Sequence, residues 1–472
     1  MKFFYNKYSI YFILTSVAFL VRYFLLEDRE SWHDEWHSIY VSDPNINFSD
    51  TMKRFYGDKG DTILTEYYPP LYLFFLKYTF LIFGYSDHVG RLLSVVAGTL
   101  IIPASIYLSS FFLDKKQTFF VSLLLIFNLF LFWQSAEIRA HSILVLSSLV
   151  CIILFIKLLD KKNLYTFILY FIISVYVLSL WPISGTIFFG KTMFLINKFF
   201  IKKKLELKLF LVFTLILTTY LILNKNYLIY NLARDSHYTV LYDSFFYNYH
   251  FRTFFGSKLL GGIYLLLFSY FLILNLKNLI FKSLKINLLV YIILSSYFLT
   301  LTYTIFRASI MSPKYVIFIV PLILIWICVN LSKYKNGIIY SLVLTTTTII
   351  FFSFNINNHP IKRPPITDAL KIIIKDNSKN IIIQDNDVFK NYVKTKKIFQ
   401  DNNMVLLENY EQQNDDINSI WFLCLNNARF AVGDKKLEDD LKCKNFKLND
   451  TDFIFISTHK LPDFLLKKFK KN

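Results

Sequence analysis

The sequence predicts an α-helical polytopic membrane protein of about eleven transmembrane helices, with a small α/β domain at its C-terminus. Three observations predict this class. Of 472 residues, 55% are hydrophobic and only 18% charged, a balance too apolar for a soluble chain of this size. Apolar runs long enough to span a bilayer recur between residues 8 and 354. The net charge of +19 resides in short lysine clusters between those runs, which is how loops facing an anionic leaflet are built; a nucleic-acid-binding face would gather the charge on one surface.

The first run, Tyr8 to Leu26, follows Lys2 and Lys7. It is longer than a signal-peptide core and has no small-residue cleavage site, so it reads as an uncleaved anchor. Further spans are expected at 89–112, 118–134, 140–158, 164–181, 183–197, 207–223, 259–281, 287–306, 314–331 and 336–354. The segment Pro69 to Gly84 is also apolar, but it is short, opens with Pro69-Pro70 and holds Lys77 in its middle. If it does not cross, the clusters around Lys115-Lys116, 157–162, 198–208, 277–285 and 333–335 all fall on one side, as the positive-inside rule requires. It is therefore expected to lie in the outer interface, and residues 27–88 become a large external first loop. Four other connections then lie outside: 134–141, 181–184, 224–258 and 306–314.

Residues 1–355 thus form the membrane domain, 356–365 a proline-containing linker, and 366–472 an external soluble domain. Within the tail, helical patterns at 368–375, 388–396 and 437–442 alternate with strand-like runs at 380–384, 420–425 and 452–457, the signature of a small α/β domain. No glycine-rich phosphate loop is present, so no nucleotide site is assigned. The cysteines at 151, 328, 424 and 443 make no close metal-type pair. Cys424 and Cys443 either form a disulfide outside the membrane or remain two reduced thiols.

The chemistry-bearing stretch is Ser31-Trp32-His33-Asp34-Glu35-Trp36-His37-Ser38, directly after the first span. On a helix only residues three or four apart share a face, so Asp34 and His37 can serve one site. Glu35 would lean toward Ser38 and Ile39 as a supporting partner. A wet polar connector is the ordinary alternative, but acids at a membrane boundary are usually functional. Arg22 lies near enough to neutralise them. His33 and His37 also have the spacing of a zinc-binding helix, with Asp34 where a metalloprotease has Glu. That leaves a membrane metallohydrolase as an alternative, although no third-ligand motif is evident.

Further elements follow in a set order. They are Pro69-Pro70-Leu71-Tyr72, then Phe83-Gly84 and Arg91-Leu92, then Glu137-Ile138-Arg139, and last Lys314-Tyr315 with Pro321. Together with Asp34-Glu35 this ordered set, over roughly residues 1–355, resembles the GT-C class of membrane glycosyltransferases, specifically the protein mannosyltransferase, aminoarabinose transferase and RgtA/B/C/D-like group. Two departures stand out. His141 replaces the Tyr usually found two residues after the Glu-x-Arg arginine, and Lys314 replaces an Arg, which keeps the cation but loses bidentate phosphate geometry.

The resemblance implies transfer of a hexosyl or pentosyl unit from a polyprenyl-phosphate donor to a glycan, lipid or protein acceptor. Transfer would occur with inversion, at the outer face of the cytoplasmic (inner) membrane. Asp34 would be the base, and Glu35 would orient the acceptor or hold a divalent cation; no other cofactor is implied. The leaving phosphate would meet Arg139 and Lys314, with Arg91, Arg307, His141 and Lys77 as further candidates. Ordinary readings stand beside these: an ion pair with Glu137 or a snorkelling end for Arg139, a flank residue for Lys314, a snorkelling lysine for Lys77. A lipid-linked glycan transporter or flippase is the non-enzymatic alternative, though no internal repeat supports it.

Overall fold

In the computed structural model the described residues are 7–24, 30–56, 69–161, 163–203, 206–233, 249–282, 284–306, 310–357, 365–376, 379–383, 387–406, 419–425, 453–461 and 464–471. The chain divides into two compact units. One comprises Met1–Leu25, Thr65–Tyr72 and Ser94–His359; the other Leu26–Leu64, Leu73–Leu93 and Pro360–Asn472. The second unit therefore takes in most of the first loop along with the tail. The expected linker, 356–365, lies largely outside the described residues.

The first unit is a helical bundle. Among the described residues five helices are long and apolar enough to cross a membrane: Asp87–Ser109, His141–Asp160, Lys258–Phe281, Asn287–Phe306 and Gly337–Asn355. A sixth span is made if the bent pair Lys115–Ile126 and Leu129–Ser135 counts as one. Shorter apolar helices sit at Ser9–Tyr23, Leu71–Phe83, Leu164–Leu180, Leu207–Leu223 and Ile319–Leu331. Helix length among the described residues thus supports five or six of the roughly eleven expected spans, and apolar composition in places continues past points where the backbone leaves the helix. The run 118–134 shows why. Its helix bends by 57° at Asn128, whose side chain accepts from the Leu131 N–H and donates to the Phe254 carbonyl. Likewise 314–331 opens as a tight 3₁₀ turn at Pro313–Val316, and the α-helix proper covers only Ile319–Leu331.

Close packing and one buried cation tie this bundle. Gly190, on the helix Gly185–Lys202, faces the Ile292 backbone so closely that a Cβ there would meet Ile292 Cα at 2.6 Å; small residues allow such approaches in membrane bundles. Next to it, Lys191 is fully buried. Its ammonium lies 3.0 Å from Cys151 Sγ and 3.3 Å from Tyr170 Oη, with the rings of Phe188, Tyr170 and Phe155 at 4.7–5.3 Å. One cation thereby fastens three helices from within.

In the second unit the first loop folds into helices His33–Val41 and Phe48–Tyr56. The tail supplies helices Ile366–Lys375, Asp387–Lys394 and Lys397–Asp401 and a five-stranded sheet. Its strands are β1 (Asn380–Ile383), β2 (Val405–Leu406), β3 (Ser419–Leu425), β4 (Phe453–Leu461) and β5 (Phe464–Lys471), in the order β2-β1-β3-β5-β4. β1 pairs in parallel with β2 and β3, and β5 runs antiparallel to β3 and β4. Ile420, Phe422, Cys424, Leu465 and Phe469 form its core. Cys424 is disulfide-bonded; Cys443 and the helix expected at 437–442 lie outside the described residues. β5 hides in the sequence as a lysine-rich end. Alternation nonetheless buries Leu465 and Phe469 while Lys468 reaches Asp376 at 2.6 Å.

Candidate functional site

Asp34 and Glu35 open the helix His33–Val41, and the second unit determines how each is presented. Glu35 is fully buried. Its carboxylate turns back to accept the Trp32 N–H at 3.1 Å, satisfying one of the helix's otherwise unpartnered first donors, and it acts electrostatically on Arg91. Helical spacing predicts a lean toward Ser38 and Ile39; the fold-back onto the helix's own first turn is a contact that spacing does not predict. Asp34 is half-buried, and its backbone carbonyl accepts the Ser38 hydroxyl at 3.1 Å. His37, one turn on, is buried; the His33 side chain lies outside the described residues.

Just ahead of this helix a buried polar network holds Glu30 and Ser31. Tyr392 accepts the Ser31 N–H at 3.0 Å and donates to Glu30 at 3.2 Å, while the Thr367 N–H donates to the other Glu30 oxygen at 2.6 Å. Lys396 bridges Glu30 (2.7 Å) and Asp87 (3.0 Å). Arg91 pairs with the same Asp87 at 3.6 Å and donates to Ser31 Oγ at 2.6 Å. Burial would depress the Lys396 ammonium, but Tyr392, Asp87 and Glu30 around it outweigh burial and hold it well above the ordinary lysine value. Burial pushes the Tyr392 phenol up to about 12, so it stays a neutral donor. Below the network, Trp36 packs on Phe389 and Tyr392 at 5.2 and 5.3 Å and donates to the Ser31 carbonyl at 3.0 Å.

Lys77 lies in the same unit. Its ammonium donates to the Asp43 carbonyl (2.8 Å), the Ile46 carbonyl (2.6 Å) and Thr51 Oγ1 (2.9 Å), which uses all three of its N–H donors. Lys77 therefore closes the loop between the two first-loop helices, and Arg91 braces Ser31. Both are engaged otherwise than the sequence reading proposed.

The first unit gathers the other candidates. The chain after Ser135 forms a tight connection that buries Glu137 and Arg139, and the Arg139 carbonyl accepts from Ser94 Oγ at 3.3 Å. His141 starts the next helix with its ring edge-on to Trp181 at 5.6 Å. Trp181 packs on Tyr315 at 5.1 Å, and the Lys314 ammonium lies 5.7 Å from the Tyr315 ring. Three connections expected on one side, 134–141, 181–184 and 306–314, thus meet through one aromatic row. The row joins two expected residues, His141 and Lys314, through Trp181 and Tyr315, to which the sequence reading gives no role of their own. Trp181 ends one apolar run and Tyr315 opens another, but nothing in the sequence pairs them.

In the 224–258 connection His250 is fully buried. It packs against Tyr297 at 5.4 Å, and burial holds its imidazole down at about 4. Arg307 lies outside the described residues. Among the described residues no three His, Cys, Asp or Glu side chains converge as a metal-ligand set; the His33 side chain, which the metallohydrolase alternative requires, is not one of them.

No family model matches the chain, and no curated protein matches it in sequence. Solved structures do. ArnT from Cupriavidus metallidurans, an aminoarabinose transferase of the GT-C class, aligns over 97% of this chain and 97% of its own at 10% identity. The TM-score is 0.55 for its apo form and 0.52 for the form bound to undecaprenyl phosphate. An oligosaccharyltransferase from Archaeoglobus fulgidus covers 87% of this chain and 67% of its own at 12% identity. Its TM-score of 0.46 is too loose to define a shared fold. The chain has the GT-C fold of ArnT.

Proposed function

We propose that this protein transfers a sugar from a polyprenyl-phosphate-linked donor to an acceptor hydroxyl, at the outer face of the membrane and with inversion. What carries the reading is the near end-to-end likeness to ArnT, one of whose structures holds undecaprenyl phosphate. The local geometry supports it. Of the two adjacent acids Glu35 is committed inward to its helix and to Arg91, and Asp34 is the one left at the surface of that helix.

In this mechanism Asp34 takes the proton from the acceptor hydroxyl as its oxygen attacks the anomeric carbon. The bond to phosphate breaks with its electron pair, and polyprenyl phosphate leaves. Arg139 and Lys314 stabilise the charge that develops on that phosphate, and the buried Trp181 with Tyr315 packs His141 and Lys314 into one row beside it. The tail is external and holds the acid-bearing helix in position. Glu35 acts as a positioning residue.

The test is a reconstituted assay with a lipid-linked donor. Asp34→Asn should lower turnover by about two to four orders of magnitude while leaving undecaprenyl phosphate binding intact. Glu35→Gln, which keeps the acceptor for the Trp32 N–H, should lower it by about one to two, by analogy with outer-shell partners. Arg139→Ala and Lys314→Ala should weaken lipid binding and slow transfer together. Product formation by Asp34→Asn at the wild-type rate would remove Asp34 from the mechanism and favour a transport role.

A further inference from the structure

We infer that the first unit holds a structural anionic phospholipid in a groove between the helices that begin at Lys7, Lys115 and Gly337, whose lining includes none of the residues assigned to transfer. The groove is a cavity of about 510 Å³ walled by Tyr11 and Leu14 of the first helix, Phe119 of the second and Ile338 of the third, with Lys115 and Lys116 at its rim. That volume lies within the ordinary range for small-molecule and lipid sites.

Its walls are almost wholly apolar, so water gains no partners inside it, whereas an acyl chain fits without leaving a polar group unsatisfied. Both rim lysines are exposed, in the first turn of their helix. The adjacent acid, Asp114, is committed to capping that helix, accepting the Gln117 N–H at 2.8 Å. The two helices that begin beside it are held there by a bond of their own, from Ser341 Oγ to Gln117 Oε1 at 2.8 Å, so the groove is a built feature of the bundle. An apolar slot with a paired cationic rim matches one chemistry: a hydrocarbon tail carrying a phosphodiester headgroup. Each lysine near such a headgroup contributes attraction that salt weakens.

The test uses the purified full-length protein in detergent, titrated with fluorescently labelled phosphatidylglycerol or phosphatidylcholine. Phosphatidylglycerol should bind at least about tenfold more tightly, and Lys115→Gln with Lys116→Gln should weaken it by about ten- to thirtyfold. Leu14→Trp, which fills the cavity, should weaken both lipids. Because the two lysines are exposed, the double glutamine variant retains the fold and keeps the test decisive even where Leu14→Trp does not. Equal binding of the two lipids, or wild-type binding by the double variant, would overturn the inference. So would displacement of phosphatidylglycerol by equimolar undecaprenyl phosphate, which would assign the groove to the carrier lipid.

Discussion

Lys396→Met tests whether the tail supports the acid-bearing helix. Lys396 makes two charge-assisted contacts, to Glu30 and Asp87, each of a kind that contributes about 1.5–3 kcal/mol. Against their loss stands the desolvation of a buried ammonium, which the variant no longer bears. Neither acid is orphaned, since Asp87 keeps Arg91 and Glu30 keeps Tyr392 and the Thr367 N–H. The cost therefore falls below the roughly 3–5 kcal/mol of a fully stranded buried charge, at about 2–3 kcal/mol.

Hydrogen exchange measured peptide by peptide should report this as about a 30- to 150-fold loss of protection over His33–Val41. Helices of the first unit should be unchanged. Because the folded ammonium is held above its unfolded value, its contribution is complete below about pH 10 and fades only as pH rises through the folded value; protection conferred by Lys396 should be flat from pH 6 to 9. Exchange over His33–Val41 within about twofold of wild type would refute the bracing role of Lys396.

Three further outcomes follow from other contacts. Burial holds His250 below its unfolded value of about 6.5, so its contribution to stability is complete above that pH. As pH falls toward 4 it is lost, up to about 3 kcal/mol; thermal unfolding across pH 4–7 should show a slope that His250→Phe reduces, and identical slopes would refute the assignment. Gly190→Ala should destabilise the bundle by about 1–3 kcal/mol, read as a lower melting temperature in detergent, because the new methyl meets the Ile292 backbone. Lys77→Met should loosen residues 43–56 by about 2 kcal/mol in hydrogen exchange, yet leave undecaprenyl phosphate affinity within about twofold. A tenfold loss of affinity would return Lys77 to the phosphate site.

Local pattern is legible in this sequence where it depends on neighbours a few residues apart. The strands at 380–383 and 419–425 lie where alternation places them. Helix length was less legible, because Phe127 and Asn128 look like the middle of a span in composition while the Asn128 amide finds Phe254 and turns the chain. Lys396 was invisible for a similar reason. In Lys394-Thr395-Lys396-Lys397 only the tertiary partners distinguish the buried lysine from its exposed neighbours. The contact of Glu35 with the Trp32 N–H was not legible either, since spacing on a helix face says nothing of a side chain folding back to cap its own first turn.

The contact between Ser31 and Tyr392 spans 361 residues of sequence, which gives the molecule an order of manufacture. At about 5–20 residues per second, the roughly 300 residues between Arg91 and Lys396 occupy a ribosome for about 15–60 s. Throughout that interval Asp87, Arg91 and Ser31 have been made and their latch has not. A chain released early would contain every helix of the first unit and both acids, yet lack what steadies the helix that bears them. Support for the helix that bears Asp34 is thereby withheld until the chain has been made as far as Lys396, because the two ends of one network sit far apart along the message.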